Sequence, residues 1–339
     1  MRNGIIASGN WIIDHVKIID TWPKEGMLAN IQSEHLGTGG APYNVLVDIA
    51  KLKSDLPLYA HGIIGSDHDG QYILDDLKAN SIDVKHMRRT SDAATSYTDV
   101  MTVADTRART FFHCRGANAL LGHDDFMNIE TDARIFHLGY LLLLDKLDMH
   151  DDEFGVVAAR TLDLLTKKGY KTSVDVVSES SDRFRRIVTP CLRHTDYLIL
   201  NEIEAGETTG FTIRDGKNID QKNLIKAAEA LITGGVRELV VIHFPEGGFA
   251  ITKNERAFVP SFEVPRDDIK GTAGAGDAFC AGMLFAIHDE LPLEDALTFA
   301  NACARFNLLS PTCTGGAEPL SSVCAYIKQA KQNPPVVRL

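Results

Sequence analysis

The sequence predicts an α/β protein in which helices flank a mostly parallel central sheet, with a small β-sheet lid beside it. Short apolar runs alternate with longer segments of helical periodicity through most of the chain. This order is typical of strand–helix–strand units, whose connections place neighbouring strands parallel. The strand runs are apolar at nearly every position, which indicates strands that are buried on both faces.

The elements follow one another without a linker or an internal repeat. The predicted strands lie, in chain order, in NGIIASG, LYAHGIIG, RIFHLGYLLL, KTSVDVV, DYLILN and ELVVIHF. Helical periodicity covers residues 43–53, 68–80, 156–168 and 218–234, and a closing helical stretch runs from about 275 to 331. We therefore predict one domain over residues 1–339.

Two segments depart from this alternation and predict the lid. Residues 14–36 and about 93–120 lack helical periodicity, and SYTDVMTVADTRARTFFHC alternates like a hairpin that turns near Asp105 to Ala108. A small sheet over the carboxyl ends of parallel strands would lie where such folds bind ligands. Open edges and one apolar face would favour pairing, so a homodimer through the lid is expected.

Composition narrows the classes of partner. The chain carries 35 Lys and Arg against 46 Asp and Glu, a net charge of −11, with no basic block, which argues against nucleic acid or a membrane surface as partner. No apolar run approaches the roughly 18 residues of a membrane span. None of the six cysteines is in C-x-x-C spacing, so we expect reduced thiols in a cytoplasmic protein.

The stretch KGTAGAGDAFCAGML combines a bare loop with a helix start. Small residues at Gly271, Gly274, Ala275 and Gly276 let the backbone approach a ligand, and the following helix directs unpaired N–H groups at an anion. Asp277 lies in the first turn, where its carboxylate can accept a proton from an attacking hydroxyl. An ordinary helix-start acid is the alternative interpretation.

Two further motifs carry polar side chains next to helix starts. In GTGGAPYNVLVDIAKL, Gly39 and Gly40 precede a helix that contains Asn44, which is either a ligand-binding residue or a capping residue after a tight turn. In LILNEIEAGETTG, Asn201 and Glu204 follow an apolar strand. Their oxygens suit Mg²⁺, although the same spacing is that of a capping box.

In this order the motifs resemble those of the ribokinase-like (pfkB-type) family of carbohydrate kinases. Gly39, Gly40 and Asn44 are similar to the N-terminal signature of that family, and GTAGAGDAF is similar to its C-terminal D-T-x-G-A-G-D-x-F signature. The resemblance extends from NGIIASGNWIID to PTCTGGAE. It implies an ATP-dependent kinase that transfers the γ-phosphoryl group to a hydroxyl of a small carbohydrate.

The resemblance also implies roles for individual residues. Asp277 would be the general base, with an anion hole at Gly274, Ala275, Gly276 and Asp277, and Asn201 and Glu204 would hold Mg²⁺ and the ATP phosphates largely through water. Asp14, Gly39, Gly40, Asn44, Arg115 and Asn118 would contact the acceptor, and Asn301 and Gly248 would contact ATP.

The chain departs from the family pattern at two places. Gly271 replaces the first aspartate of the C-terminal signature, which the family associates with a monovalent cation, so a K⁺ requirement is not expected. Where the family has T-x-G-x-x-G, this chain has His243, Pro245 and Gly248. His243 is interpreted either as a positive charge near phosphate at low pH or as a polar strand end.

Two alternative functions stay open at this point. A nucleoside kinase of the same fold would differ mainly in the lid residues, which are the least patterned part of the chain. A sugar-binding regulatory protein without turnover belongs to a different class, and the intact set of Asp277, Asn201 and Glu204 argues against it.

Overall fold

The computed structural model describes residues 2–106 and 108–339. The strands are β1 (Ile5–Gly9), β2 (Ile12–Ile19), β3 (Ile31–Gly39), β4 (Leu58–Gly65), β5 (Asp83–Thr90), β6 (Ser96–Val103), β7 (Arg109–Cys114), β8 (Ile135–Leu141), β9 (His150–Asp151), β10 (Gly155–Val156), β11 (Lys171–Val176), β12 (Tyr197–Asn201), β13 (Arg214–Asp215), β14 (Asn218–Ile219), β15 (Leu239–Phe244), β16 (Gly247–Ile251) and β17 (Arg256–Pro260). The α-helices are α1 (Ala41–Lys51), α2 (His68–Ala79), α3 (Val157–Lys167), α4 (Phe184–Cys191), α5 (Glu202–Thr209), α6 (Gln221–Thr233), α7 (Ala275–His288), α8 (Leu293–Asn307) and α9 (Leu320–Ile327).

A nine-stranded sheet in the order β17-β16-β15-β12-β11-β8-β1-β4-β5 forms the centre of the molecule. Every neighbouring pair from β15 to β5 is parallel, and β16 and β17 add an antiparallel edge. All six predicted strand runs lie in this sheet. The predicted α/β architecture is therefore confirmed.

The apolar runs are explained by a core on each face of the sheet. Within β1, Ile6 faces the cluster formed with α3 to α6, whereas Ile5 and Ala7 face the cluster formed with α1, α2, α7 and α8. Side chains alternate between the two faces of a strand, so a strand covered on both sides must be apolar throughout.

Two helix predictions are corrected at their boundaries. The helix predicted over 218–234 begins at Gln221, because β13 and β14 form a short hairpin before it and Asp220 caps the helix. The closing stretch of 275–331 is divided into α7, α8 and α9. Pro292 and Pro319 are the N-cap residues of α8 and α9, and proline favours a helix start over a helix interior.

The four strands β3-β2-β6-β7 form a separate sheet, which we call the lid sheet. The strands β6 and β7 form the predicted hairpin, although Arg107 in the predicted turn lies outside the described residues. The strand β2 pairs with β3 in antiparallel and with β6 in parallel orientation, so both insertions contribute to one sheet.

Among the described residues, no helix has the length and apolar character needed to cross a membrane. All six cysteines lie within the described residues and are free thiols.

Gly40 makes the close turn between β3 and α1. Its φ is +89°, and a Cβ atom there would overlap the carbonyl oxygen of Asn10. We expect Gly40→Ala to lower the free energy of unfolding, measured by urea denaturation, by about 2 kcal/mol or more. Gly37→Ala is the matched control, because the nearest atom to its Cβ would be 3.8 Å away. Equal losses in the two variants would contradict this account of Gly40.

Candidate active site

The candidate site lies at the carboxyl ends of the parallel strands, where α1 and α7 also begin. Asp277 is in the first turn of α7, and only 7% of its surface is exposed. Asn44 reaches it from α1 and Tyr140 reaches it from the end of β8. The site thus collects side chains from three distant parts of the sequence around one buried carboxylate.

The Asp277 carboxylate is held by neutral donors. The Asn44 amide donates to Oδ2 at 2.7 Å, and the Tyr140 hydroxyl lies 3.0 Å from Oδ1 and 3.1 Å from Oδ2. Burial, with a smaller contribution from the Asp175 charge, raises the pKa of Asp277 to about 6, although both hydrogen bonds favour the charged form. Asp277 is therefore mostly ionised at neutral pH and still basic enough to accept a proton.

The N-terminus of α7 has no side-chain cap. Its N-cap residue is Gly274, whose φ of +77° and contact with the Cys313 backbone leave no room for a side chain. The Ala275 N–H donates to the Thr272 carbonyl at 3.4 Å, whereas the N–H groups of Gly276 and Asp277 in the first turn are open to an anion. The Asp277 side chain accepts hydrogen bonds from Asn44 and Tyr140, which belong to other elements of the fold. An ordinary acid at a helix start needs no such partners, so these contacts favour a functional role.

Asn201 and Glu204 form the capping box that their spacing allowed. The Asn201 side chain accepts hydrogen bonds from the N–H groups of Ile203 and Glu204, and the Glu204 carboxylate accepts one from the Asn201 N–H at 2.9 Å. Ser178 also donates to Glu204 Oε1 at 2.7 Å. Burial raises the pKa of Glu204 to about 8, and the charges of Asp175 and Asp277 act in the same direction.

These acids fit a bound divalent cation. Asp175, Glu204 and Asp277 are all buried; the Asp175 charge raises the pKa of both Asp277 and Glu204, and the Asp277 charge also raises the pKa of Glu204. A divalent cation with oxygen ligands would relieve that repulsion. Because the capping box and Ser178 already occupy much of Glu204, its contact with such an ion would run largely through water.

Asp14 projects from β2 of the lid sheet. Gly39 lies on the neighbouring strand β3, two positions beyond Gly37, which is the register partner of Asp14. A Cβ at Gly39 would lie 2.6 Å from Asp14 Oδ2, so only glycine leaves this carboxylate in place. Burial raises the pKa of Asp14 to about 6, against the lowering effects of Thr98, His15 and Arg109. Asp14 is thus a partly buried acceptor of hydrogen bonds on the inner side of the lid sheet.

Asn118 and Arg115 connect the lid hairpin to the rest of the chain. Asn118 is fully buried, and its amide pairs with the backbone N–H of Trp11 at 3.2 Å and the Trp11 carbonyl at 3.1 Å. Arg115 forms an ion pair with Asp145 at 3.0 Å. The structure therefore gives both residues protein partners, in addition to the acceptor contacts that the family resemblance implies.

Two of the residues predicted to bind ATP, Asn301 and Gly248, lie at the antiparallel edge of the central sheet. Asn301 donates to the Val259 carbonyl at 3.0 Å, and Gly248 lies in β16, where a Cβ would be 2.8 Å from the Phe279 ring. Burial lowers the pKa of His243 to about 4, so His243 is neutral near pH 7. The His243 ring also lies beside the start of α7, because a Cβ at Gly276 would be 3.1 Å from its Cε1 atom, so both interpretations of His243 stay open.

The sequence patterns gave little indication that Tyr140 and His137 belong to the site around Asp277. Tyr140 and His137 lie inside the apolar run of β8, where the pattern indicated only a strand. Asp175 at the end of β11 was the one signal available, because acids at the carboxyl end of a parallel strand often face a ligand. Arg109, from β7, reaches the loop at Gly271.

The fold and the site define an α/β protein in which a helix start without a side-chain cap lies beside a buried carboxylate. The model of the family described as "pfkB family carbohydrate kinase" matches residues 6–319. The chain therefore belongs to the pfkB family of carbohydrate kinases, as the motifs predicted. It is a phosphotransferase with an alcohol group as acceptor.

Individual relatives are distant but cover nearly the whole chain. Fructokinase-2 of Zea mays is 28% identical, with 89% of this chain and 87% of the relative covered. Ribokinase of Bacillus subtilis is 26% identical, with 93% and 96% covered. The structure of Arabidopsis thaliana ribokinase complexed with ribose and ATP superimposes with a TM-score of 0.78 at 21% identity, covering 97% of this chain and 99% of that one. This likeness confirms the fold.

Replacing Asn118 tests its structural role. We expect Asn118→Ala to lower the free energy of unfolding by about 2–3 kcal/mol, because the variant leaves the Trp11 N–H and carbonyl buried without partners. Urea denaturation measures the loss, and Asn128→Ala, at an exposed position, is the control. A stability equal to that of the control would show that the Trp11 contacts contribute nothing.

Proposed function

We propose that this protein transfers the γ-phosphoryl group of ATP to a hydroxyl of a small sugar, with Asp277 as general base. The observation that carries the proposal is the position of Asp277. Its buried carboxylate lies one turn from the uncapped start of α7 and is oriented by Asn44 and Tyr140. Proton acceptance and anion stabilisation are thereby available within one helical turn.

The chain's own residues divide the chemistry between them. The amides at 274–277 bind the transferring phosphoryl group, while Asp14, Gly39, Gly40 and Asn44 orient the acceptor. As the acceptor oxygen attacks phosphorus, its proton passes to Asp277 and the bond to the leaving ADP oxygen breaks. Asn201 and Glu204 would hold Mg²⁺, which would supply charge neutralisation for the phosphates when bound. No covalent protein intermediate is required.

Removing the base should remove the activity. We expect Asp277→Asn to lower turnover by about 10²-fold or more, because the amide cannot accept the acceptor proton. ADP release is measured with Mg·ATP and a panel of ribose, fructose, 2-keto-3-deoxygluconate, tagatose 6-phosphate, adenosine and inosine. Asp289→Asn, at an exposed position just after the same helix, is the control.

The panel also separates the alternatives. Turnover on adenosine or inosine alone would assign a nucleoside kinase. Turnover that Asp277→Asn leaves unchanged would exclude Asp277 as the base. If no compound is turned over but sugars shift the melting temperature of both proteins, a binding protein without catalysis is the better description.

We further propose that activity does not require K⁺. Gly271 replaces the aspartate that the family associates with a monovalent cation, and the Arg109 Nη2 atom lies 3.6 Å from the position of a Cβ at Gly271. A fixed guanidinium charge therefore lies beside this loop. Equal ADP release in K⁺ and in tetramethylammonium salts at matched ionic strength would support the proposal, and strict K⁺ dependence would oppose it.

We also propose a homodimer through the lid sheet. Large apolar side chains are exposed on this sheet and the loop between β2 and β3, namely Trp22, Met27, Leu28, Ile31, Leu36, Phe111 and Phe112. Burying such a surface against a second copy removes apolar area from water.

Light scattering after size exclusion tests this association. We expect the mass of a dimer for the unaltered chain and a smaller mass for Leu28→Lys, because a charge would enter the apolar contact; Leu28 is 80% exposed, so folding should be unaffected. Lys53→Ala, outside the lid sheet, should leave the dimer unchanged. A monomer at every protein concentration would remove the proposal.

A further inference from the structure

The Tyr140 hydroxyl contacts the atoms of Asp277 that would take up the acceptor proton. The Tyr140 hydroxyl lies 3.0 Å from Asp277 Oδ1 and 3.1 Å from Asp277 Oδ2. Asn44 donates to Oδ2 at 2.7 Å. The carboxylate is thus fixed by two independent neutral donors, one from β8 and one from α1.

Tyr140 reaches this position through an unusual backbone. Its φ is +60°, a left-handed conformation that is rare for a residue with a large side chain. The Tyr140 N–H donates to Asp175 Oδ1 at 2.5 Å, and its carbonyl accepts a hydrogen bond from the Asn10 amide at 3.4 Å. Such conformations persist only where the surroundings enforce them, and they concentrate at functional sites.

Asp175 in turn contacts the buried side chain of His137, which contacts that of Ser173. Its Oδ2 atom lies 3.5 Å from His137 Nε2, and His137 Nδ1 lies 3.1 Å from the Ser173 hydroxyl. All three residues are buried. A continuous polar chain therefore runs from Ser173 and His137 through Asp175 to the Tyr140 backbone, and from the Tyr140 hydroxyl to Asp277.

We propose that Tyr140 is a positioning residue that orients the Asp277 carboxylate toward the acceptor hydroxyl, and that Asp175 is a second positioning residue that holds Tyr140 in place. This inference rests on the proposed role of Asp277 as base. Tyr140 keeps its own proton throughout, because burial raises its pKa well above the usual range. It therefore remains a donor while Asp277 Oδ accepts the acceptor proton.

Tyr140 and Asp175 act on the basicity of Asp277 in opposite directions. The Tyr140 hydrogen bond stabilises the charged carboxylate, whereas the nearby Asp175 charge destabilises it. The other titratable groups around Asp277 are His137 from β8, Asp48 from α1, Glu204 from α5, Cys280 from α7 and Cys313 from the loop after α8. These groups are common to both variants below, so they cannot reverse the sign of the comparison.

Two conservative variants test the inference through the pH dependence of kcat/KM for the acceptor. Tyr140→Phe keeps the ring and removes the hydrogen-bond donor. The midpoint of the acid limb, the low-pH side of the kcat/KM profile, should therefore rise by about one pH unit, and kcat should fall about 10-fold even at high pH. Asp175→Asn removes the charge but keeps an oxygen for the Tyr140 N–H, so the limb should move down. Tyr170→Phe is the control, because its hydroxyl contacts Thr131 away from the site.

The outcomes are distinguishable from failure of the proposed function. The role of Tyr140 would be overturned if both variants fold and the midpoints of their acid limbs either stay unchanged or shift in the same direction. If the unaltered protein turns over no acceptor, the carboxyl ¹³C shift of Asp277, assigned with Asp277→Asn, is titrated instead, and the same opposite shifts are expected. Should Tyr140→Phe fail to fold, Asp175→Asn alone still decides, since a limb or titration that does not move down contradicts the proposal.

Discussion

The hydrogen bond from Asn44 to Asp277 joins two helix starts that are 233 positions apart in the sequence. Both helices begin after a glycine with positive φ, at Gly40 and Gly274, and neither glycine supplies a side-chain cap. The bare helix starts can therefore approach each other and leave space between them. The rest of the site depends on this approach, because it places a buried carboxylate directly beside uncapped N–H groups.

Neutral donors hold the acids of the site. Asn44 and Tyr140 contact Asp277, while Ser178 and Asn201 contact Glu204. Hydrogen bonds alone do not cancel the cost of burying like charges close together, so burial and repulsion still raise the pKa values of Asp277 and Glu204. The cluster of acids therefore destabilises the fold, as functional sites often do. Its negative charge also suits a divalent cation.

The lid sheet adds an acid from outside the central sheet. Its strand β2 carries Asp14, and Gly39 of the neighbouring strand leaves room for that carboxylate. Asn118 then fixes the base of the hairpin to Trp11, so the position of the sheet is set by fully buried hydrogen bonds. Exposed apolar side chains lie on both faces of the same sheet, because the register places Phe111 on the face of Asp14 and places Phe112 and Leu36 on the opposite face.

The sequence by itself determined the parallel sheet, the lid hairpin and the two glycine motifs, because alternation, periodicity and glycine placement are local properties of the chain. It also predicted Asp277, Asn44 and Glu204 as candidate site residues, and it left the helix boundaries near Gln221 and Pro319 inexact. Only the tertiary structure showed that the Asn44 side chain contacts Asp277 instead of capping a helix. Tyr140 and His137 appeared as part of a buried strand, since their roles come from a left-handed turn and from contacts with β11 and α7. Such contacts join residues from different strands and helices, and no local pattern in the sequence encodes them.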